Sequence, residues 1–310
     1  MSLIDFEGVT KQYGSVRALD DVSFSVTKGE MFGLIGPDGA GKTTSIRVAC
    51  GLIGRDKGRV AVLGRDPVRE HRAITGGVGY LSQRFSLYGD LTIDENIAFF
   101  AEIHGVRGYA AARNRLLEMT QLTAFRTRRA DRLSGGMKQK LALACTLIHE
   151  PALLLLDEPT TGVDPVSRRE FWKLLSEFLS NGLTIVMATP YLDEAERCTR
   201  IALLHRGKLL AVDAPGELRR VRRDPLVEVI ADAPRPPLEI LERLPHVSDV
   251  QAFGERAHVR FATGAPVEPA DFVRRELERQ GIHILAARSV APSLEDAFIE
   301  LITRTESRST

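Results

Sequence analysis

Gly36-Pro37-Asp38-Gly39-Ala40-Gly41-Lys42-Thr43 decides how this chain folds. The octapeptide fits G-x-x-x-x-G-K-[ST], with Met31 to Ile35 before it reading as a buried strand and Lys42 to Cys50 after it as a helix. Glycines at 36, 39 and 41 permit backbone angles that a side chain forbids. Successive N–H groups can then converge on an anion at the positive end of the helix. The loop is expected to cradle the phosphates of a nucleoside triphosphate, with Gly36, Pro37, Asp38, Gly39, Ala40, Gly41, Lys42, Thr43 and Thr44 around it. In that arrangement Lys42 reaches the β and γ phosphates and Thr43 offers its hydroxyl to Mg²⁺.

A phosphate loop needs an acidic partner, and Leu153-Leu154-Leu155-Leu156-Asp157-Glu158 supplies one. Four apolar residues between polar ones describe a strand buried on both faces, which places Asp157 and Glu158 at its carboxyl end. Open α/β sheets bind ligands at that end. Asp157 is therefore expected to hold Mg²⁺ through its water shell, and Glu158 to orient and polarise an attacking water.

With these motifs in place the chain resembles the ATP-binding subunits of ABC transporters over roughly residues 3 to 222. The resemblance implies a P-loop NTPase core of α/β class, an ABC-type ATPase with a flanking antiparallel β subdomain and a helical subdomain. It gives Tyr13 the place of the aromatic that stacks on adenine. Gln83, in Tyr80-Leu81-Ser82-Gln83, takes that of the glutamine linking the γ-phosphate and its metal to the membrane partner, a catalytic and metal-site role. Leu133-Ser134-Gly135-Gly136-Met137-Lys138-Gln139 takes that of the signature, whose Ser134, Gly135 and Gly136 would close over ATP held by a second subunit. Read from its residues alone, Ser134 serves equally well as the cap of an amphipathic helix bearing Met137, Leu141, Ala144, Cys145 and Ile148. Gly162-Val163-Asp164 matches the loop that crosses the dimer, with Val where Leu is commoner.

One position departs from the family. Its usual Thr-His after the next strand is replaced in Val186-Met187-Ala188-Thr189-Pro190-Tyr191, where Pro190 stands for the histidine that contacts the γ-phosphate. Proline has neither a side-chain donor nor an N–H. Binding should survive and hydrolysis should be slower than usual, with Thr189 and Tyr191 as the nearby hydroxyls.

Composition fits an ordinary globular enzyme. The 310 residues suggest about two domains, and 44% hydrophobic residues suffice for sizeable cores. No apolar run approaches the ~20 residues that span a bilayer, and no charged, apolar leader opens the chain, so a cytoplasmic protein is expected, peripheral on the cytoplasmic face of the membrane. A net charge of +1 gives no broad field for nucleic acid. Arg126 to Arg132 and Arg219 to Arg223 are local basic clusters, read as solvated faces. Cys50, Cys145 and Cys198 lack metal-ligand spacing and read as buried thiols, and the seven histidines form no zinc pattern.

Organisation along the chain follows. Leu3 to Val9 and Ala18 to Val26 alternate as two strands joined near Tyr13-Gly14, and the pattern turns helical from about 85 to 148, with Thr92 as a helix cap. Phe171 to Leu179 reads as a helix, Leu183 to Ala188 as a buried strand, and Ile201 to Leu204 with Leu209 to Val212 as a hairpin around Gly207. The ATP-binding domain is set at 1–222. A second domain, 226–305, has the element order βαββαβ and is expected to be a small α+β, ferredoxin-like unit for dimerisation or regulation. Its tail, Ser293-Leu294-Glu295-Asp296-Ala297-Phe298, resembles the ending of the daunorubicin-resistance-like, drug- and antibiotic-export branch.

The expected function is an ATPase that binds ATP and Mg²⁺, pairs with a second ATPase subunit as a homodimer or heterodimer, and energises a separate integral-membrane permease for export, without nucleic acid as a partner. The alternative is an ABC-type switch acting on ribosomes or DNA. Its relatives carry two cassettes in one chain or a long coiled coil between loop and signature, and neither feature is present.

Overall fold

Apolar and polar residues alternate along Ser2–Tyr13 (β1) and Val16–Thr27 (β2), which pair antiparallel around a turn where Gly14 takes a φ of 56°. The alternation buries Ile4, Phe6 and Val9 from one strand and Leu19, Val22, Phe24 and Val26 from the other. The sequence pattern ends β1 at Val9, yet pairing runs on to Tyr13, because a ladder made by the backbone continues past the last apolar side chain. Met31–Ile35 (β3) leaves for a second sheet, and Lys57–Val62 (β4) returns to the free edge of β1, giving the order β2-β1-β4.

The computed structural model describes residues 1–83, 87–220, 224–233, 235–262 and 264–307. The expected start of the helical region at 85 and the end of the basic cluster at Arg223 lie outside the described residues. Two compact units divide the chain. One is Met1–Pro215 with the last helix from Leu301, and the other is Gly216–Glu300.

In the first unit Val78–Leu81 (β5), Leu153–Asp157 (β6), Thr184–Thr189 (β7), Arg200–His205 (β8) and Lys208–Asp213 (β9) join β3 in the order β5-β6-β7-β3-β8-β9. All neighbours are parallel except β8 and β9, the hairpin around Gly207. Every residue of β3, β6 and β7 is buried, as strands covered on both faces require. Register decides the site: Ile35 lies opposite Thr189, and Asp157 opposite Ala188. The glycine loop, the acidic pair and Pro190 therefore leave the sheet at one edge.

Helices Lys42–Ala49 (α1), His71–Thr75 (α2) and Pro165–Ser180 (α6) accompany this sheet, with Leu192–Ala195 (α7) after β7. α6 buries Phe171, Trp172, Leu174, Leu175 and Phe178, and Asp164 caps it by accepting from Val166 N and Ser167 N. Between β5 and β6 lie Ile93–Ile103 (α3), Ala110–Met119 (α4) and Gly135–Leu147 (α5). Thr92 and Glu95 form a capping box at the start of α3. α5 departs from the expected single apolar stripe, because Gln139 and Lys140 are buried as well. Gln139 Nε2 donates to the Pro159 carbonyl and Lys140 Nζ pairs with Glu170 at 2.6 Å, while Gln139 Oε1 is buried without a hydrogen-bond partner. Cys50, Cys145 and Cys198 are buried and in no disulfide, and burial pushes each thiol up, Cys50 and Cys198 to about 12.

The second unit opens within Pro215–Arg219 (α8). Leu226–Ala231 (β10), Val247–Phe253 (β11), Arg256–Phe261 (β12) and Ile284–Ser289 (β13) form an antiparallel sheet in the order β11-β12-β10-β13. Leu238–Glu242 (α9) and Pro269–Arg279 (α10) fall between the strands, so the element order is βαββαβ, and α10 packs on β10 and β13 with Val273 and Leu277 buried. Leu294–Ser307 (α11) follows β13, with Ser293 Oγ accepting from Asp296 N and Asp296 accepting in return. His258 Nδ1 lies 2.9 Å from the buried Asp296. Among the described residues no helix is long and apolar enough to cross a membrane.

Asn96 fixes the loop that enters α3. Fully buried, it accepts from Tyr88 N and donates to the carbonyls of Tyr88, Leu91 and Thr92 at 2.9–3.2 Å. Asn96→Ala leaves Tyr88 N without its acceptor, while the Tyr88, Leu91 and Thr92 carbonyls keep backbone donors, and is expected to cost about 1–2 kcal/mol. Urea unfolding should show a lower midpoint at unchanged slope.

Candidate active site

The loop between β3 and α1 is built by close backbone approach. A methyl on Gly36 would lie 2.2 Å from the Leu204 carbonyl oxygen, and one on Gly41, at φ 106°, 2.6 Å from that of Ala18. Only glycine allows β8 and β2 to press so near. Gly39, also at positive φ, faces open space, which leaves the mouth of the loop clear. Ala40 N donates to the Pro37 carbonyl, and the Ala40 carbonyl accepts from Gly207 N. Pro37, Asp38 and Gly39 are exposed, while Thr44 is half-buried in the first turn of α1. That turn carries no acidic residue to oppose an anion.

Lys42 is 4% exposed, and its ammonium donates to the carbonyls of Gly36 at 2.9 Å and Pro37 at 3.1 Å. Glu158 Oε1 stands 3.4 Å away and completes the charge balance of this buried cation. Glu158 Oε2 accepts from Gln83 Nε2 at 3.0 Å and from Thr161 Oγ1 at 3.4 Å. Thr43 Oγ1 donates to Asp157 Oδ1 at 2.9 Å. Lys42, Thr43, Gln83, Asp157 and Glu158, separated by up to 116 positions in the sequence, thus form one cluster. Burial raises the Asp157 carboxyl, the neighbouring Glu158 adds to the rise, and the Thr43 hydrogen bond opposes it.

This donor set fits a hard divalent cation: a hydroxyl, an amide and two carboxylates offer oxygen, and a buried carboxylate beside another carboxylate is relieved by positive charge. Among the described residues no group of three or more His, Cys, Asp and Glu could hold a metal alone. Mg²⁺ suits such an open site, since it takes one or two carboxylates and completes its shell with waters and substrate phosphates.

The remaining expected residues stand apart from the loop. Tyr13 ends β1, 48% exposed, with Lys11 Nζ 5.4 Å from its ring centroid. Ser134 caps α5 by accepting from Met137 N at 3.3 Å, Gly135 is open to solvent, and Gly136 is buried where a methyl would strike Ser167 Oγ at 2.2 Å. Among the described residues no hydrogen bond joins Ser134, Gly135 or Gly136 to the loop 36–44. Thr189 cannot stand in for the histidine, because its hydroxyl donates to Glu194 at 2.6 Å and accepts from Tyr191 N. Tyr191 is 38% exposed beneath the Arg168 guanidinium. Glu194 itself, a fully buried carboxylate, escapes the sequence reading, since Asp193-Glu194 resembles an ordinary acidic first turn.

Residues 19–161 match the family model described as ABC transporter. The Nod factor export ATP-binding protein I of Rhizobium etli is 36% identical over 98% of this chain and 94% of its own. The chain belongs to the ATP-binding proteins of ABC transporters. It is an ABC ATPase. A probable multidrug ABC transporter ATP-binding protein of Escherichia coli is 44% identical over 70% of this chain, which spans only 38% of that protein's length. A daunorubicin resistance ATP-binding protein of Streptomyces coeruleorubidus is 34% identical over 95% of this chain and 93% of its own. The solved structure of an ATP-binding subunit of an ABC transporter shares 30% identity at a TM-score of 0.63, covering 70% of this chain and 92% of that one. A dimeric ATP-binding cassette bound to ADP and Pi shares 25% at 0.59, covering 68% and 98%.

Gly41→Ala tests the loop. The strained φ and the contact with the Ala18 carbonyl should lower stability by roughly 1–3 kcal/mol. Thermal melts should also lose the upward shift that ATP gives the parent protein.

Proposed function

We propose that this ABC ATPase closes as a dimer around two Mg-ATP molecules and drives a separate integral-membrane permease in export. The observation that carries the reading is the Lys42–Glu158–Gln83 cluster beside Thr43–Asp157, in a chain whose Ser134 makes no hydrogen bond to its own loop. Each chain then offers two halves of different sites. The loop N–H groups and Lys42 take the triphosphate of one ATP, with Tyr13 against its adenine. Ser134, Gly135 and Gly136 of the other copy close over its γ-phosphate from a helix N-terminus. Thr43, Asp157 and Gln83 would hold Mg²⁺, which neutralises charge between the β and γ phosphates.

Glu158 is assigned as the base. Its carboxylate accepts a proton from the attacking water as the bond from water oxygen to the γ-phosphorus forms and the bond to the ADP oxygen breaks. Lys42 lies beside that carboxylate, so a triphosphate in the loop would give the ammonium a second partner and leave Glu158 to face water. Pro190 brings no donor to the γ-phosphate, so turnover should be slower than with histidine there.

An apolar groove of about 230 Å³, lined by Leu52, Ile74, Tyr80, Phe100, His104 and His149, supports a seat for a short cytoplasmic helix of the permease, because it lies between α3 and the strand leading to Gln83. Peripheral attachment to the cytoplasmic face follows from that reading. The words export, resistance and multidrug in the relatives' names favour export. The second unit, whose described residues hold no catalytic cluster, is assigned to dimer stabilisation or regulation.

Glu158→Gln should keep ATP binding while hydrolysis falls by roughly 10²–10⁴. Lys42→Ala should lose nucleotide binding itself. Equal turnover of Glu158→Gln and the parent protein in a phosphate-release assay would refute the assignment.

A further inference from the structure

Glu158 sits in a backbone conformation that needs outside support. Its φ is 49°, left-handed for a residue with a side chain, and such strain persists only where surrounding contacts over-determine it. Some of those contacts are visible at once. Glu158 N donates to the Ala188 carbonyl at 2.9 Å, and Gln139 of α5 grips the carbonyl of Pro159. The third comes from a group that the proposed hydrolysis does not use.

The Glu194 carboxylate, fully buried on α7, gathers donors from three directions. Oε1 accepts from Thr160 Oγ1, two residues beyond Glu158, and from Arg168 Nε of α6 at 2.8 Å, with Trp172 Nε1 at 3.4 Å. Oε2 accepts from Thr189 Oγ1 at 2.6 Å, one residue before Pro190. Arg168 supplies the balancing charge and spends its other end on Asp193 at 2.7 Å. Thr160 and Thr189 are themselves buried, so neither hydroxyl has water as a ready substitute.

We propose that Glu194 is a positioning residue for hydrolysis: it ties the segment after β6 to the end of β7 and so holds the Glu158 carboxylate where the attacking water must be. This rests on the reading of Glu158 as the base. Where Pro190 removes the histidine that would brace base and water from the front, bracing from behind through Thr160 and Thr189 carries more of the task. Nucleotide binding is set elsewhere, by the 36–44 loop, whereas the Glu194 carboxylate bonds to Thr160, Arg168, Trp172 and Thr189, all outside that loop. The node should therefore act on turnover and not on affinity.

Thr160→Val removes one hydroxyl at nearly constant volume, and Thr160→Ser keeps it. In the full-length protein, Thr160→Val should lower kcat by roughly 10–10²-fold, the scale of a misplaced catalytic group. KM and the Kd of a fluorescent ATP analogue should stay within about twofold of the parent values. Thr160→Ser should restore the rate. Thr189→Val probes the same node from the opposite side and replaces Thr160→Val if that variant does not fold. A folded valine variant with parental kcat would overturn the proposal, as would a parallel fall of kcat and ATP affinity. Loss of activity in Glu158→Gln alongside a fully active Thr160→Val would reject the positioning role alone. Parental turnover in Glu158→Gln would remove the base, and this proposal with it.

Discussion

A lysine ammonium buried beside the end of a parallel strand must find negative charge and acceptors within a few ångströms, or it will not stay charged. In this chain the acceptors are the Gly36 and Pro37 carbonyls, and the nearer negative charge is Glu158 at 3.4 Å, with the exposed Asp38 at 3.9 Å. Satisfying that one cation constrains much of the first unit. The loop must turn back on itself so that its own carbonyls reach Lys42, and glycine at 36 and 41 lets the Leu204 and Ala18 carbonyls press against that turn. β6 must end opposite the loop, which fixes its place in the sheet, and Glu158 must leave β6 in a left-handed conformation so that its carboxylate comes to the ammonium.

The same constraint gives the site its chemistry. A cation held by carbonyls and a carboxylate is an anion site whose present partners are weaker competitors than a triphosphate. Beside it, a buried Asp157 raised by desolvation and by Glu158 favours a positive ion. These two imbalances point the same way, toward a phosphate anion that arrives with a divalent metal.

Much of this was legible in the sequence, and the reasons are physical. Glycine spacing encodes a backbone path directly, so Gly36 to Thr43 announced the loop. The run Leu153 to Leu156 could only be a strand covered on both faces, which placed Asp157 and Glu158 at its end. The Thr and Ser caps at Thr92 and Ser134 are local contacts and follow from local sequence. Contacts made across the fold left no such mark. Gln139 and Lys140 break the stripe of α5 because Pro159 and Glu170, far along the chain, receive them. Glu194 lies in a run of acidic residues that reads as solvated, and only the convergence of β6, β7 and α6 on it shows otherwise.

The central claim is that the site is completed by a second copy, and mixing two crippled chains tests it most directly. Ser134→Arg spoils what a chain gives its partner, and Lys42→Ala spoils what it keeps. Each variant alone should be inactive, while an equal mixture should recover ATP hydrolysis to about a quarter of the parent rate, since half the dimers are mixed and each holds one intact site of two. Parental activity from Ser134→Arg alone would contradict the account, because the site would then be complete within a single chain.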